Sequence, residues 1–333
     1  MADILVTGGG GFLGRHIVDL LLKRGDKVSI LNRSSYPDLE ARGVTCFCGD
    51  LRDKEALSKA VAGKSSVFHV AAKAGIWGPV KDYYGINVTG TLNILECSQQ
   101  AGVKKFIYTS SPSVAFGTEA IELGDESLPY PDSYLTSYPQ TKAEAEKAVL
   151  AANSAKFLTC ALRPHLIWGP GDNHLVPRII EAASSGKLRQ VGDGTNLVDV
   201  TYVENGAKAH IQAEECLAPG SAVAGQAYFI GDKEPVNLWN WINELLVKVD
   251  IAPIEKSLSY NKARKIGAVL EFLYAVLPIK GEPRMTRFVA AQLAKSHYFS
   301  HDKAFKDFGF DPQINNEEGL RRTIDQLSVN TDG

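Results

Sequence analysis

Tyr138 and Lys142 stand four residues apart in the run Ser137-Tyr138-Pro139-Gln140-Thr141-Lys142-Ala143-Glu144. The residues that follow are strong helix formers, so this spacing sets the phenol and the ammonium side by side on one helix face. A free phenol has a pKa near ~10, too high for proton exchange at neutral pH, and a neighbouring cation moves it down. The pair is therefore a candidate acid or base for a reacting oxygen. A surface Tyr–Lys contact has the same spacing, and with 12 tyrosines in the chain the pair needs support from its surroundings.

That support comes from the start of the chain. Ile4-Leu5-Val6-Thr7 reads as a short buried strand, and Gly8-Gly9-Gly10-Gly11-Phe12-Leu13-Gly14 follows at once. The next ten residues carry Ile17, Leu20 and Leu21 at helical spacing, and Gly25 sits where such a helix stops. Strand, glycine turn and helix together make a pyrophosphate cradle: glycines let the backbone approach closely, and the helix N-terminus offers free N–H groups.

The two features together resemble the extended form of the short-chain dehydrogenase/reductase superfamily, over most of the chain. The family's Thr-Gly-x-x-Gly-x-x-Gly falls on Thr7 to Gly14, and its catalytic Tyr-x-x-x-Lys on Tyr138 and Lys142. Its catalytic serine follows a strand, here Lys105 to Ser110, which selects Ser111 ahead of Ser110 and Ser113. The stretches Phe68 to Ala72, Asn87 to Thr91 and Leu162 to Gly171 are also similar to the family. Lys73 to Gly78 and Asn32 to Pro37 look most like its 3β-hydroxysteroid dehydrogenase branch, which includes sterol-4-carboxylate 3-dehydrogenases and 2-alkyl-3-oxoalkanoate reductases. The resemblance implies that a nicotinamide dinucleotide meets Gly8, Gly11, Phe12 and Leu13, then Asn32, Arg33 and Ser34, then Asp50 and Leu51. It further implies contacts from Ala71, Ala72, Lys73, Tyr138, Lys142, Pro164 and His165. Hydride would pass between the nicotinamide and a secondary alcohol or ketone. Tyr138 would manage the proton, Lys142 would lower its pKa and hold the ribose, and Ser111 would bond the reacting oxygen. The His165 side chain either reaches the substrate or packs.

The expected fold is α/β, a Rossmann-type doubly wound parallel sheet with a smaller substrate lobe, because strand and helix patterns alternate. Strands read near Ile4–Thr7, Lys27–Leu31, Val44–Cys48, Ser66–Val70, Lys105–Ser110, Phe157–Arg163 and Ala227–Ile230. Long helices read at Tyr83–Ala101 and Ser137–Asn153. Residues 1–164 plus 198–217 are expected to form the core, and 165–197 plus 218–330 the lobe. Trp77 and Trp168 are either apolar walls of the substrate pocket or core.

Composition agrees with a soluble enzyme. The chain has 333 residues and a net charge of −2, a balance that suggests no nucleic-acid partner. The chain opens on the cofactor strand, with no signal-like segment ahead of it. Its five cysteines read as buried thiols in a reducing, cytoplasmic compartment. His297 and His301 have a metal-like spacing but lack a third ligand, so no metal is expected.

An acidic residue after the second strand would favour NAD through the ribose 2′-hydroxyl. Here Asn32 and Arg33 stand there, and arginine can fork a 2′-phosphate, so NADP is favoured over NAD. The substrate is expected to be apolar, a 3β-hydroxysteroid or long-chain 3-oxo acid. The rivals are an NAD-dependent nucleotide-sugar epimerase or dehydratase gripping a diphosphate with Arg178, Lys187 and Arg189, and a non-catalytic NADP sensor. The helices at 83–101 and 137–153 are expected to pair across a twofold axis in a homodimer. Residues 266–277, apolar but for Glu271, read either as a lid over the pocket or as a peripheral membrane contact, with Lys262, Arg264 and Lys265 beside them.

Overall fold

The structure, a computed structural model, describes residues 1–331. Seven strands form one parallel sheet: β1 (Asp3–Thr7), β2 (Lys27–Asn32), β3 (Thr45–Cys48), β4 (Ser66–His69), β5 (Lys105–Thr109), β6 (Leu158–Pro164) and β7 (Gln226–Ile230). Their spatial order is β7-β6-β5-β4-β1-β2-β3. The chain starts in the middle, steps outward to β3, then crosses to β4 and steps outward the other way. The reversal leaves a crevice between β1 and β4 at the strand carboxyl ends, where such sheets bind ligands. Register keeps those ends level: Thr7 lies beside both Leu31 and His69, and Thr109 beside Leu162.

Both faces of the sheet are covered, which is why its strands read as continuous apolar runs rather than alternations. On one face α1 (Phe12–Arg24) packs with Ile17, Val18 and Leu21 inward, against Ala207 and Ile211 of a later helix. Gly25 ends α1 at φ 86°, its N–H returning to the carbonyls of Leu21 and Leu22. On the other face lie α2 (Lys54–Val61), α3 (Gly90–Gln100) and α4 (Ser137–Ala151). Asp53 caps α2 by accepting from the N–H groups of Glu55 and Ala56. The later helix on the first face is α5 (Val203–Cys216).

The single helix expected at 83–101 is instead divided. A π-helical turn, Tyr84–Thr89, precedes α3. The wide turn places the buried Asn87 side chain inward, where it bonds the backbone of Lys73 and the Thr141 hydroxyl. The boundary between core and lobe also shifts. Gln226–Ile230 is a strand of the main sheet, paired in parallel with β6, although it falls beyond residue 217. Conversely, Ile121–Gly124 pairs with His297–Phe299 in a four-stranded sheet of the lobe.

The lobe has its own core of Trp168, Tyr202, Trp239 and Trp241 with several leucines and valines. Trp168 is fully buried there and does not reach the large cavity. Trp77 sets its ring edge-on to Tyr274 at 6.2 Å and lies outside the cavity lining. Neither tryptophan is a pocket wall. All five cysteines are free, but only Cys97 and Cys160 are buried; Cys46 is half-buried, and Cys48 and Cys216 are exposed.

α6 (Tyr260–Val276) inverts the expected polarity of a surface helix. Its buried stripe is Ala263, Gly267 and Glu271. Glu271 accepts from the Arg287 backbone and pairs with its guanidinium, both at 2.6 Å. Val269, Phe272 and Val276 are 58%, 65% and 64% exposed. No residue of α6 lines the cavity, so the helix is not a lid. Among the described residues no helix is long and apolar enough to cross a membrane.

Candidate active site

One cavity of about 840 Å³ runs along the carboxyl ends of the strands. Gly8, Gly11, Phe12 and Leu13 line it after β1, Asn32 at the end of β2 with Arg33 next to it, and Asp50 and Leu51 after β3. Ala71, Ala72 and Lys73 line it after β4, Ser111 after β5, and Pro164 and His165 at the end of β6. Tyr138 and Lys142 enter from α4. Of the residues expected to meet a cofactor, Ser34 alone is off the wall; it is exposed one position past Arg33.

The glycine turn fits a pyrophosphate by steric argument. Gly8 has φ 72°, and a Cβ there would lie 2.9 Å from the Ala71 backbone. A Cβ on Gly14 would lie 2.1 Å from the Gly8 carbonyl oxygen, so α1 can approach the strand end only because that atom is missing. Gly11 is the N-cap and no side chain caps the helix. The first-turn N–H groups therefore face the cavity without a protein acceptor, which suits an anionic oxygen.

At the next rim Asn32 accepts a hydrogen bond from the Gly10 N–H, and Arg33 is exposed with no ion pair among the described residues. Asp50 is engaged by Arg52 at 2.8 Å, and the guanidinium holds its carboxyl down at about 2. The rim thus offers a free guanidinium and a carboxylate already occupied.

The Tyr–Lys pair differs from its expected electrostatics. Burial raises the Tyr138 phenol, and the neighbouring Ser111 hydroxyl draws it back. Lys142 is 2% exposed and donates to the Thr109 carbonyl at 2.6 Å, with Nζ 4.1 Å from the centre of the Tyr108 ring. Burial pushes its ammonium down to about 7, against the pull of Glu146. Desolvation outweighs the mutual effect of cation and phenol, so both groups move toward their neutral forms. A phenol that stays protonated at neutral pH is a proton donor.

Beneath these groups lie polar residues that the sequence marks only as parts of family-like stretches, without a role for the side chain. His69, in β4, is bonded to Thr7 at 2.7 Å and Thr91 at 2.9 Å, and burial lowers it to about 3. Asn87 accepts from the Lys73 N–H at 2.7 Å and fixes the turn after β4. Ser111 is also bonded to Ser113 at 2.9 Å. At the lobe end of the cavity, Ile76, Phe116, Phe288 and Phe299 form an apolar wall with Gln292 and His297 among them. These come from segments far apart in sequence. His165 lines the cavity and is also packed, its Nε2 lying 2.6 Å from His297 Nδ1. His301 lies 3.2 Å from Asp199 instead. No metal-binding group of three or more side chains occurs among the described residues.

A strand-end cavity with a glycine cradle, a serine, a tyrosine and a lysine defines an extended short-chain dehydrogenase/reductase. The chain belongs to the 3-beta hydroxysteroid dehydrogenase/isomerase family, whose model matches residues 5–259. It is 49% identical to the 2-alkyl-3-oxoalkanoate reductase of Stenotrophomonas maltophilia (strain K279a), covering 96% of this chain and 97% of that one. It is 38% identical to the decarboxylating sterol-4-alpha-carboxylate 3-dehydrogenase of Mus musculus, covering 96% and 89%. Among solved structures it is similar to gox2253, with TM-score 0.79, 27% identity and 99% of each chain covered. It is also similar to MoeE5 in complex with UDP-glucose and NAD, with TM-score 0.76, 26% identity and 99% of each chain covered. The chain is accordingly an NAD(P)-dependent oxidoreductase acting on CH–OH groups.

Lys142 has a testable cost. Its folded pKa is about 7, whereas an unfolded lysine titrates near ~10.4. Between those values the unfolded chain binds more protons, so the lysine's contribution to stability improves as pH rises above about 7. Lys142→Met is expected to abolish turnover yet raise the thermal unfolding midpoint at pH 7 by on the order of 2 °C. That advantage should shrink by pH 9. Thermal melts of both proteins without added cofactor, at pH 7, 8 and 9, check the sign.

Proposed function

We propose that the protein interconverts a 3-oxo and a 3-hydroxy carboxylic acid bearing apolar chains, with NADP as the preferred cofactor. The observation that carries the reading is the junction, within one cavity, of Ser111, Tyr138 and Lys142 with the apolar wall of Ile76, Phe116, Phe288 and Phe299. The names of two relatives support the substrate class. A 2-alkyl-3-oxoalkanoate and a sterol-4-alpha-carboxylate acted on at position 3 both carry the carboxylate on the carbon beside the reacting one.

A nicotinamide dinucleotide bound along the strand ends supplies or accepts the hydride. Tyr138, kept protonated by burial, donates its proton to the forming alkoxide in reduction; in oxidation the phenol first gives that proton up and, as phenolate, takes the one on the substrate hydroxyl. Ser111 would donate to the same oxygen, and Lys142 would hold the nicotinamide ribose. The nucleotide-sugar reading is less well supported. Arg178 reaches the cavity but is 3.3 Å from Glu282, Arg189 donates to the carbonyls of Gly186 and Leu188, and Lys187 is off the wall. A non-catalytic sensor would have no need of the serine, tyrosine and lysine together.

NADPH oxidation should be seen with 2-alkyl-3-oxo acids and not with nucleotide sugars. Tyr138→Phe should lower kcat by about a hundredfold or more while retaining cofactor affinity. A mutant keeping more than half the activity removes Tyr138 from the reaction.

Arg33 would fork the 2′-phosphate. Arg33→Ala is expected to weaken NADP by about tenfold or more and NAD by less than about twofold. Fluorescence titration of both cofactors decides it; equal losses would reject the NADP preference.

We further assign α6 to a lipid surface. Its exposed Ile266, Val269, Phe272 and Val276 stand beside Lys262, Arg264 and Lys265, an apolar row with cations that anionic headgroups would neutralise. The protein should float with vesicles containing phosphatidylglycerol, more weakly with neutral ones, and Val269→Ser with Phe272→Ser should abolish flotation. Wild type that stays at the bottom of the gradient excludes the contact.

We also propose that the outer faces of α3 and α4 pair in a homodimer, with Leu92, 47% exposed on α3, as a contact residue. Light scattering should give twice the chain mass, and Leu92→Arg should halve it.

A further inference from the structure

His165 and His297 form a buried pair whose protons can be placed by elimination. The Gln292 carbonyl can only accept, so His297 Nε2, 2.8 Å away, donates to it. A neutral His297 then has a lone pair on Nδ1, and His165 Nε2 donates to that at 2.6 Å. The remaining nitrogen, His165 Nδ1, is therefore unprotonated. It bonds to no described residue and is open to the cavity that His165 lines. The ring cannot readily turn away. The His165 backbone is fixed by its amide N–H, which donates to the Ile230 carbonyl and the Thr201 hydroxyl, both at 3.1 Å, and Phe299 packs edge-on against the imidazole at 6.0 Å. Phe116 packs in the same manner on His297 at 5.4 Å.

The result is one aimed lone pair beside an apolar wall. A carboxylate cannot bond to a lone pair unless a proton comes with it. We propose that His165 is the specificity-determining residue for the substrate carboxyl, binding it together with one proton taken from solvent, held between Nδ1 and a carboxyl oxygen. The proposal rests on the assignment of a 3-oxo or 3-hydroxy acid as substrate.

Charge balance favours this arrangement. The empty pair is neutral, because burial, His297 and His301 hold the His165 imidazolium well below its usual range. The charged groups behind this corner include Asp199, which lies beside His301 and accepts from the Phe299 N–H, and the buried Asp232, which feels the charge of both; Arg178, paired with Glu282, and Asp172 line the same cavity. An incoming anion supplies the counter-charge that the buried imidazolium lacks, so carboxylate and proton enter as a neutral set. A hydroxyl on the substrate would instead donate to Nδ1 directly, with no proton uptake.

The linkage gives a distinctive slope. Above pH 6 the free acid is ionised and the free His165 is neutral, so each acid bound takes up one proton. The apparent affinity then falls about tenfold per pH unit, until the pH exceeds the histidine's pKa in the complex. A methyl ester takes up none. The experiment measures kcat/KM for oxidation of a 2-alkyl-3-hydroxy acid and of its methyl ester at pH 6.5, 7.5 and 8.5. The acid-to-ester ratio cancels the cofactor and the Tyr138 relay, which both compounds share. Wild type should show a ratio falling with pH by several-fold to tenfold per unit. His165→Gln should lower the ratio at pH 7.5 by about tenfold or more and flatten its pH profile. A flat ratio in wild type overturns the proposal without any variant, and so does an unchanged ratio in a folded His165→Gln. If neither compound is oxidised, the substrate assignment itself falls and this proposal with it.

Discussion

The site depends on a row of buried polar side chains along α4. Tyr138, Lys142 and Glu146 follow one another at single-turn spacing, and Glu146 is fully buried. Arg163 of β6 forks Glu146 at 2.6 and 3.0 Å, and the Tyr130 hydroxyl donates to the same carboxylate at 2.6 Å. Glu146 thus has one full partner, and Lys142 remains as the uncompensated charge of the row. This is why its ammonium sits near neutrality, at about 7, rather than in the usual lysine range. The same contacts fix the geometry: Arg163 ties α4 to β6, and the Lys142 bond to the Thr109 carbonyl ties it to β5. Removing one member of a buried pair leaves the other without compensation, typically at about 3–5 kcal/mol. The position of the tyrosine is therefore set by charges that never touch a substrate.

The remaining geometry follows from chain direction. Because every strand of the main sheet runs the same way, every β-to-α turn opens at one edge, and the reversal between β1 and β4 keeps that edge from being filled. The turn after β1 is closed by contact of α1 with the strand end, where Gly14 admits the Gly8 carbonyl. The turn after β4 is closed by Asn87, reached only because the helix widens at Tyr84–Thr89. Two different devices produce two flush walls: a missing side chain in one case, an inserted one in the other.

How much of this could be read from the sequence depended on the range of the interaction. The glycine turn and the end of α1 at Gly25 are local steric and hydrogen-bonding matters, and each lies where the residue types place it. The Tyr138–Lys142 proximity was legible too, since it needs only a helix. Its electrostatics were not, because the shift of Lys142 comes from burial between β5 and β6, which no local pattern reports. Phe116, Phe288, Gln292, His297 and Phe299 were illegible as a wall for the same reason: five positions from three separate segments converge only in the folded lobe. Trp168 is ambiguous by residue type alone, because the partners that bury it, Tyr202 and Trp241 at ring distances of 5.4 and 5.2 Å, are distant in sequence.

α6 marks where pattern reading reverses. Its one acidic residue in the apolar stretch lies inside and its bulkiest apolar residues lie outside. The cause is the closeness of the seam. A Cβ at Gly267 would stand 2.5 Å from the Thr286 carbonyl carbon, so the helix meets the Thr286–Arg287 backbone almost directly. Only alanine and glycine fit such an approach, and little apolar area can be buried there. The start of the helix Arg287–Ala294 sits at this seam, and Glu271 takes up its Arg287 N–H and guanidinium. Once small residues and a capping carboxylate occupy the packed stripe, the large apolar side chains have no place in it. Their outward position is thus a consequence of backbone proximity, and folding alone supplies no reason for those positions to be apolar.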